Sequence, residues 1–161
     1  MKYLISERQY NLIKEEKEIL EIPSLEVFGN DWELLQQFLE RRGNPPYSIG
    51  GDLDLEDADI QSLGNLVSVG GNLNLSSTPI KNLGNLVSVG GYLGLHNTPI
   101  ESLGNLVSVG GFLDIRRTAI ESLGNLVSVE GNLNLRNTPI SKTMSEEEIR
   151  AIVNVEGDIY L

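Results

Sequence analysis

The most constraining feature of this sequence is an internal repeat with a period of 20 residues. The segment SLGNLVSVGG, residues 62–71, recurs almost unchanged from positions 82, 102 and 122. Written from the second glycine, one unit has the pattern G-x-L-x-L-x-x-T-P-I-x-x-L-G-N-L-V-S-V-G, and units begin at Gly51, Gly71, Gly91, Gly111 and Gly131. A fixed period of this length is typical of solenoids, in which each repeat forms one coil that stacks on the next.

The unit is too short for a strand, a helix and two loops, so we expect mostly extended chain with tight corners. The paired glycines mark one corner, where positive φ or the absence of a side chain is required. Pro79, Pro99 and Pro139 mark another, because proline fixes its own φ and biases the preceding threonine toward extended backbone. The apolar positions predict an inward ladder, which in one unit comprises Leu93, Leu95, Ile100, Leu103, Leu106 and Val109.

The repeats resemble the leucine-rich-repeat superfamily, in particular the short-repeat form of receptor L-domain-like solenoids. The resemblance covers residues 46–161, where Leu73, Leu75 and Ile80 match the family signature L-x-x-L-x-L-x-x-N-x-L. Threonine stands at the position of the family's ladder asparagine, as Thr78, Thr98, Thr118 and Thr138, and we expect these hydroxyls to form an internal hydrogen-bond ladder. The resemblance implies a leucine-rich-repeat type solenoid of stacked coils with a parallel β-sheet.

Both ends of the sequence have features of caps, which an open solenoid needs to cover unpaired strand groups and apolar core. Residues 1–45 are predicted to form a helical cap, with a first helix near 7–20 and a second that begins after Asn30 and ends before Gly43. The second helix has one apolar face, formed by Trp32, Leu35, Phe38 and Leu39. Residues 46–161 form the solenoid, in which a short helix from Ser145 to about Ala151 closes the far end before the chain returns at Val155.

In a strand of the pattern G-x-L-x-L-x, the side chains between the leucines face solvent, so equivalent positions form columns across the coils. The first column is Asp52, Asn72, Tyr92, Phe112 and Asn132; the second is Asp54, Asn74, Gly94, Asp114 and Asn134; the third is Glu56, Ser76, His96, Arg116 and Arg136; the fourth is Asp57, Ser77, Asn97, Arg117 and Asn137. We call these four columns the variable face, because they differ between units that are otherwise nearly copied. Such variation is typical of a binding surface on a repeat scaffold, and free drift of exposed positions is the alternative.

The composition of the variable face favours binding. Tyr92 and Phe112 are predicted to be neighbours with arginines beside them, and aromatic residues and arginine are enriched at interface hot spots. The candidate partner-binding residues are Tyr92, His96, Phe112, Asp114, Arg116, Arg117 and Arg136. The first coil is acidic instead, so the face is predicted to run from negative near the N-terminal cap to more positive near the fourth and fifth coils. We therefore expect an elongated protein partner to lie across this face.

The acidic first coil is also a weak candidate calcium site. Asp52, Asp54 and Glu56 alternate along the strand, and hard cations bind several carboxylate oxygens. An EF-hand loop is excluded, because Leu53 and Leu55 between them belong to the inward ladder and the glycine that the loop requires is missing.

Enzymatic function has little support in the sequence. His96 is the single histidine, the chain has no cysteine, and a flat exposed sheet does not exclude water from a catalytic group. We expect no catalytic residues and no cofactor.

The charge of the chain narrows its partners. The 161 residues carry a formal net charge of −11, with 12 Lys and Arg against 23 Asp and Glu, which opposes direct binding of nucleic acid or an anionic membrane. No apolar run approaches the roughly 18 residues of a membrane span, and the first residues lack a secretory signal. We expect a cytoplasmic monomer that binds a protein.

Two alternatives remain open at this point. The opening residues MKYLISERQYNLI resemble the start of short phage-encoded proteins, and a phage-type inhibitor of a host protein could use its negative charge to imitate nucleic acid. A carbohydrate-binding module would instead use Tyr92 and Phe112 as stacking platforms for sugar rings.

Overall fold

Each repeat unit contributes one short strand to each of two parallel sheets in the computed structural model, which describes residues 18–161. The scaffold sheet contains β1 (Leu20–Ile22), β2 (Tyr47–Ile49), β4 (Leu66–Val69), β6 (Ser88–Val89), β8 (Ser108–Val109), β10 (Ser128–Val129) and β12 (Asn154–Val155). The variable sheet contains β3 (Leu53–Asp54), β5 (Leu73–Asn74), β7 (Leu93–Gly94), β9 (Leu113–Asp114), β11 (Leu133–Asn134) and β13 (Ile159–Tyr160). The protein is thus a parallel β-solenoid with one coil for each 20-residue unit, as the period predicts, and this architecture is consistent with the leucine-rich-repeat type.

The core lies between the two sheets, along the predicted inward ladder. Leu93, Leu95, Ile100, Leu103, Leu106 and Val109 have no exposed surface. Leu73, Leu93 and Leu113 pair in direct register, so each residue of a unit stacks on its equivalent in the next coil. Because the sequence repeats, the same side chains pack against each other in every coil.

The paired-glycine corner requires the absence of a side chain, not positive φ. Neither glycine of any pair has positive φ in the described part of the chain. A Cβ atom on Gly111 would lie 2.9 Å from the carbonyl carbon of Gly91, and one on Gly131 would lie 2.6 Å from that of Gly111. The corners of neighbouring coils are therefore stacked too closely for any side chain at the second glycine.

The threonine column is buried as expected, but its hydrogen bonds run within each coil and do not form a ladder between coils. Thr78 and Thr98 donate to the carbonyl oxygens of Leu75 and Leu95, each at 2.7 Å, and Thr118 and Thr138 do the same in their own coils. Their hydroxyls therefore close the turn before this corner, also in the coil where Ala119 stands in place of proline.

Asparagines of the L-G-N-L segment form side-chain hydrogen bonds between neighbouring coils. Asn105 Nδ2 donates to the carbonyl oxygen of Gly84 at 3.2 Å, and Asn125 Nδ2 donates to that of Gly104 at 2.9 Å. Asn85 Nδ2 donates to Asn65 Oδ1 at 3.1 Å. The asparagine ladder of this solenoid thus lies beside the scaffold sheet.

The N-terminal cap contains one of the two predicted helices in the described residues. Helix α1 (Trp32–Glu40) begins at Asp31, whose carboxylate accepts from the Leu34 amide at 2.9 Å, and it buries Leu35 and Leu39 as its apolar face predicts. A 3-10 helix, Leu25–Phe28, precedes it.

The helix predicted near 7–20 falls mostly outside the described residues, and its C-terminal end is wrong. Leu20 does not end a helix; it begins β1, which pairs in parallel with β2. The scaffold sheet is therefore extended by one strand beyond the repeats, which covers the edge that β2 would otherwise expose.

The C-terminal cap forms as predicted. A 3-10 helix, Ile140–Lys142, leads to helix α2 (Glu146–Ile152), which begins with a capping box between Ser145 and Glu148. Hydrogen bonds from Ser145 lower the pKa of the Glu148 carboxyl. The guanidinium of Arg150 donates to the carbonyl oxygens of Val155 and Gly157 at 2.7 and 2.8 Å, so α2 also holds the last turn of chain in place.

Tyr47 joins the N-terminal cap to the first coils. Its buried hydroxyl donates to the carbonyl oxygen of Leu63 at 2.8 Å and accepts from Gln36 Nε2 of α1 at 3.2 Å. Burial raises the pKa of Tyr47 well above its ordinary value of 10.0. The folded state therefore favours the neutral phenol, and this contribution to stability is present below about pH 10 and is lost as the pH rises through the folded-state pKa.

We expect Tyr47→Phe to lower the free energy of unfolding by about 1–3 kcal/mol near neutral pH, because the carbonyl of Leu63 loses its partner. The gap to the wild type should narrow above about pH 10, because Tyr47 then ionises in the unfolded chain and so favours unfolding of the wild type alone. Urea denaturation between about pH 8 and pH 11 measures both effects. A gap that stays constant or widens at high pH would contradict the role assigned to this hydroxyl.

Candidate protein-interaction surface

The strands of the variable sheet bring the first column together as predicted. The rings of Tyr92 and Phe112 lie 5.7 Å apart between centroids, at an interplanar angle of 39°. Both side chains are partly exposed, and their strands are direct neighbours. The two rings thus form a continuous aromatic patch in the middle of the variable face.

Gly94 explains how the ring of Tyr92 lies on the sheet. A Cβ atom on Gly94 would overlap the Tyr92 hydroxyl and would lie 2.8 Å from Tyr92 Cε1 and from Asn74 Oδ1. The phenol therefore occupies the space that a side chain in the second column would fill. Burial and the carboxylate of Asp114 raise the pKa of Tyr92, so the hydroxyl is neutral at physiological pH.

The second column is not exposed along its whole length, which corrects the expectation for the variable face. Asp54 faces solvent, whereas Gly94, Asp114 and Asn134 are buried. The cause is side-chain length, because the short residues of this column lie between longer neighbours in the first and third columns, such as the Tyr92 ring beside Gly94.

Asp114 consequently cannot be a direct binding residue, because only 3% of it is exposed. Its Oδ2 atom lies 3.3 Å from Arg116 Nε and 3.7 Å from His96 Nδ1. Its Oδ1 atom accepts from the Arg116 amide at 3.3 Å. Asp114 therefore pairs with Arg116 beneath the face and lies next to His96 without a hydrogen bond to it.

Two buried polar side-chain atoms among the described residues have no hydrogen-bond partner. They are Ser76 Oγ, in a fully buried residue, and His96 Nδ1. Ser76 lies close enough to the Tyr92 hydroxyl to lower its pKa slightly, against the larger effect of burial. The third column holds Glu, His or Arg in the other units, so the small serine at position 76 was the sequence signal that this position is buried.

The predicted arginines lie at one end of the face and are accessible. The side chain of Arg116 is 43% exposed although it contacts Asp114. Arg117 and Arg136 are also exposed, and the guanidinium of Arg136 lies over the ring of Tyr160 at 4.7 Å from its centroid. His96 is more covered, with a side-chain exposure of 20%.

The fourth column has a left-handed backbone conformation that the repeat pattern alone does not predict. Asp57, Ser77, Asn97, Arg117 and Asn137 all have φ between +56° and +60°. Asparagine and aspartate adopt this left-handed region readily, which explains their prevalence in the column, whereas arginine does so at a cost of about 1 kcal/mol. Arg117 is therefore held in a conformation that its own side chain does not favour.

The acidic end of the face lies in the first coil. Asp52 Oδ1 accepts from the Asn72 amide at 2.7 Å, Asp54 Oδ1 accepts from the Glu56 amide at 3.2 Å, and Glu56 Oε2 accepts from Asn74 Nδ2 at 3.0 Å. No three His, Asp or Glu residues among residues 18–161 form a group that could hold a metal ion. The carboxylates of Asp52, Asp54 and Glu56 thus each accept a hydrogen bond from a different donor and do not converge on one point.

A shallow depression separates these carboxylates from the aromatic patch. It has a volume of about 250 Å³ and is lined by Asp52, Leu53, Asp54, Asn72, Asn74 and Tyr92. It forms because the short Asp and Asn side chains of the first two coils lie next to the large ring of Tyr92. A side chain of a partner could therefore enter between the acidic end and the aromatic patch.

No family model, no curated protein and no solved structure matches the chain. Over residues 18–161, no helix combines the length and the apolar character that a membrane crossing requires.

Proposed function

We propose that this chain is a non-enzymatic, cytoplasmic protein-binding module that recognises its partner through the variable face. The observation that supports this most is the accessible patch of Tyr92, Phe112 and Arg116 on the one surface where otherwise copied units differ. Aromatic residues and arginine contribute most of the binding energy in many protein interfaces.

The solenoid supports this function by holding the face in place before the partner arrives. The inward ladder fixes each coil, and inter-coil pairing fixes the position of each column. Gly94 and Asp114 add local order, since one accommodates the Tyr92 ring and the other anchors Arg116. Little conformational entropy is then lost when the partner binds.

The test is affinity capture from a lysate of the cells in which the protein occurs, followed by mass spectrometry. We expect the wild type to capture a protein whose amount falls at least tenfold with the variant Tyr92→Ala, Phe112→Ala, Arg116→Ala. Truncation of a hot-spot residue typically costs about 2 kcal/mol or more of binding free energy. Circular dichroism must first confirm that the variant folds.

A matched control lies on the scaffold sheet. Val87, Val107 and Val127 immediately precede its strands β6, β8 and β10 and are exposed in successive coils. Their triple alanine variant should capture the same protein as the wild type. Gly94→Ala is a second probe, because it displaces the Tyr92 ring without removing it. Equal capture by the variable-face variant and by the scaffold-sheet variant would contradict the proposal.

A further inference from the structure

The charges of the variable face are separated along the solenoid axis. The first coil presents Asp52, Asp54, Glu56 and Asp57, all exposed, with no basic residue among them. The face of the second coil carries no charge, since its positions are Asn72, Asn74, Ser76 and Ser77. The fourth and fifth coils present Arg116, Arg117 and Arg136.

These charges are available to a partner. In the described part of the chain, Asp52, Asp54 and Arg117 form no salt bridge, whereas Arg116 contacts only the buried Asp114. One further exposed carboxylate, that of Asp158, lies at the basic end and accepts a hydrogen bond from Tyr160 at 3.5 Å. The three arginines there thus meet two carboxylates, Asp114 and Asp158, and the net charge of this end stays positive. The face therefore has a negative end, an aromatic centre and a positive end.

Arg117 provides an independent indication that the positive end serves binding. Its backbone has φ of +56°, in a column where Asn97 and Asn137 have the same conformation at lower cost. Backbone strain at an exposed residue is found mainly at functional positions, where the side chain is needed although the conformation disfavours it. The basic charge thus stands at a position where stability alone would favour asparagine.

We propose that the partner presents an extended peptide segment that lies along the solenoid axis, with a basic residue at one end, an apolar residue in the middle and an acidic residue at the other end. This inference rests on the proposed function and specifies the chemistry of the partner. The basic side chain enters the depression between Asp52, Asp54 and Tyr92, and the acidic side chain meets Arg116 and Arg117. A glycan or a nucleic acid offers no such ordered pair of opposite charges.

The dimensions of the face set the spacing within the segment. The first and fourth coils are three strand spacings apart, which is ~14 Å at about 4.8 Å per spacing. An extended peptide advances about 3.3 Å per residue, so roughly four residues separate the two charged positions. The apolar residue between them contacts the rings of Tyr92 and Phe112.

The chain itself supplies neutral replacements for each end. Asp52→Asn with Asp54→Asn copies Asn72 and Asn74, whose side-chain oxygens accept the equivalent backbone bonds at 2.8 and 3.2 Å. Arg116→Ser with Arg117→Asn copies Ser76 and Asn97. Each double variant therefore removes charge at one end while keeping residue types that the same coil geometry already holds.

A random library of displayed 12-residue peptides tests the inference. Selection on the wild type should enrich peptides with basic and acidic residues about four positions apart. The aspartate variant should lose the preference for the basic residue alone, and the arginine variant the preference for the acidic residue alone. The best wild-type peptide should bind each variant about threefold to tenfold more weakly, as two exposed ion pairs allow.

Two results would overturn the inference and leave the proposed function standing. One is that the peptides enriched on the wild type show no fixed order of basic and acidic residues, or that the wild type and both double variants enrich peptides with the same charges. The other is a failure to enrich any peptide while lysate capture still depends on Tyr92, Phe112 and Arg116, because the partner surface would then be a folded one.

Discussion

Replacement of Gly131 by alanine is expected to lower the free energy of unfolding by about 3 kcal/mol or more. A Cβ atom there would lie 2.6 Å from the Gly111 carbonyl carbon and 2.7 Å from the Phe112 amide nitrogen. Both are backbone atoms of the neighbouring coil, to which the Gly131 amide is hydrogen-bonded at 3.1 Å. The overlap can be relieved only by separating two coils along their shared corner.

The matched control is Gly124→Ala in the same region of the solenoid. Gly124 has φ of +56° but its nearest neighbour for a Cβ atom is the Gly104 carbonyl oxygen at 3.8 Å. Alanine there should cost only about 1–2 kcal/mol, the penalty for a left-handed backbone. Urea denaturation followed by far-ultraviolet circular dichroism compares the two. Equal losses would mean that crowding between corners does not set the glycine requirement.

Leu106→Ala is expected to cost about 2–5 kcal/mol, because it removes a fully buried side chain from the middle of the inward ladder. The equivalent residues of the adjacent coils, Leu86 and Leu126, are also buried, so the cavity is closed on both sides by rigid packing. Relaxation into the cavity is therefore limited, which places the loss toward the upper part of that range.

The neighbouring residue provides the control for this substitution. Val107, which immediately precedes β8 of the scaffold sheet, is 37% exposed, and Val107→Ala should cost less than about 1 kcal/mol. Thermal or urea denaturation of both variants measures the difference. Similar losses at residues 106 and 107 would contradict the assignment of inward and outward positions around the coil.

The architecture was predictable because the same apolar pattern occurs in every repeat unit. One period of the apolar pattern places Leu93 and Leu106 in the core, and stacking then repeats the placement in each coil. The starts of the two short helices were also predictable to within one residue, since N-cap residues and an apolar face are local properties. The cap of α1 is Asp31 where the pattern pointed to Asn30, and that of α2 is Ser145 as predicted. Strand β1 was missed because three residues, Leu20–Ile22, carry no periodic signal of their own.

The geometry of the face was less predictable, because it depends on neighbours in other coils. Burial of Asp114 follows from the size of the surrounding side chains, which no single unit contains. Two signals were present in the sequence. A glycine at position 94, where other units have Asp or Asn, indicated space for a neighbouring ring, and the Asn, Asp and Ser residues of the fourth column indicated a left-handed turn.

Hydrogen exchange of the captured complex tests the central claim most directly, because it maps the contact surface without any substitution. The account predicts that binding slows exchange of backbone amides on the variable face, in the segments around Tyr92 and Phe112. It predicts no change around Val87 and Val107 on the scaffold sheet. Protection confined to the scaffold sheet or to helix α1, with the variable face unchanged, would contradict it.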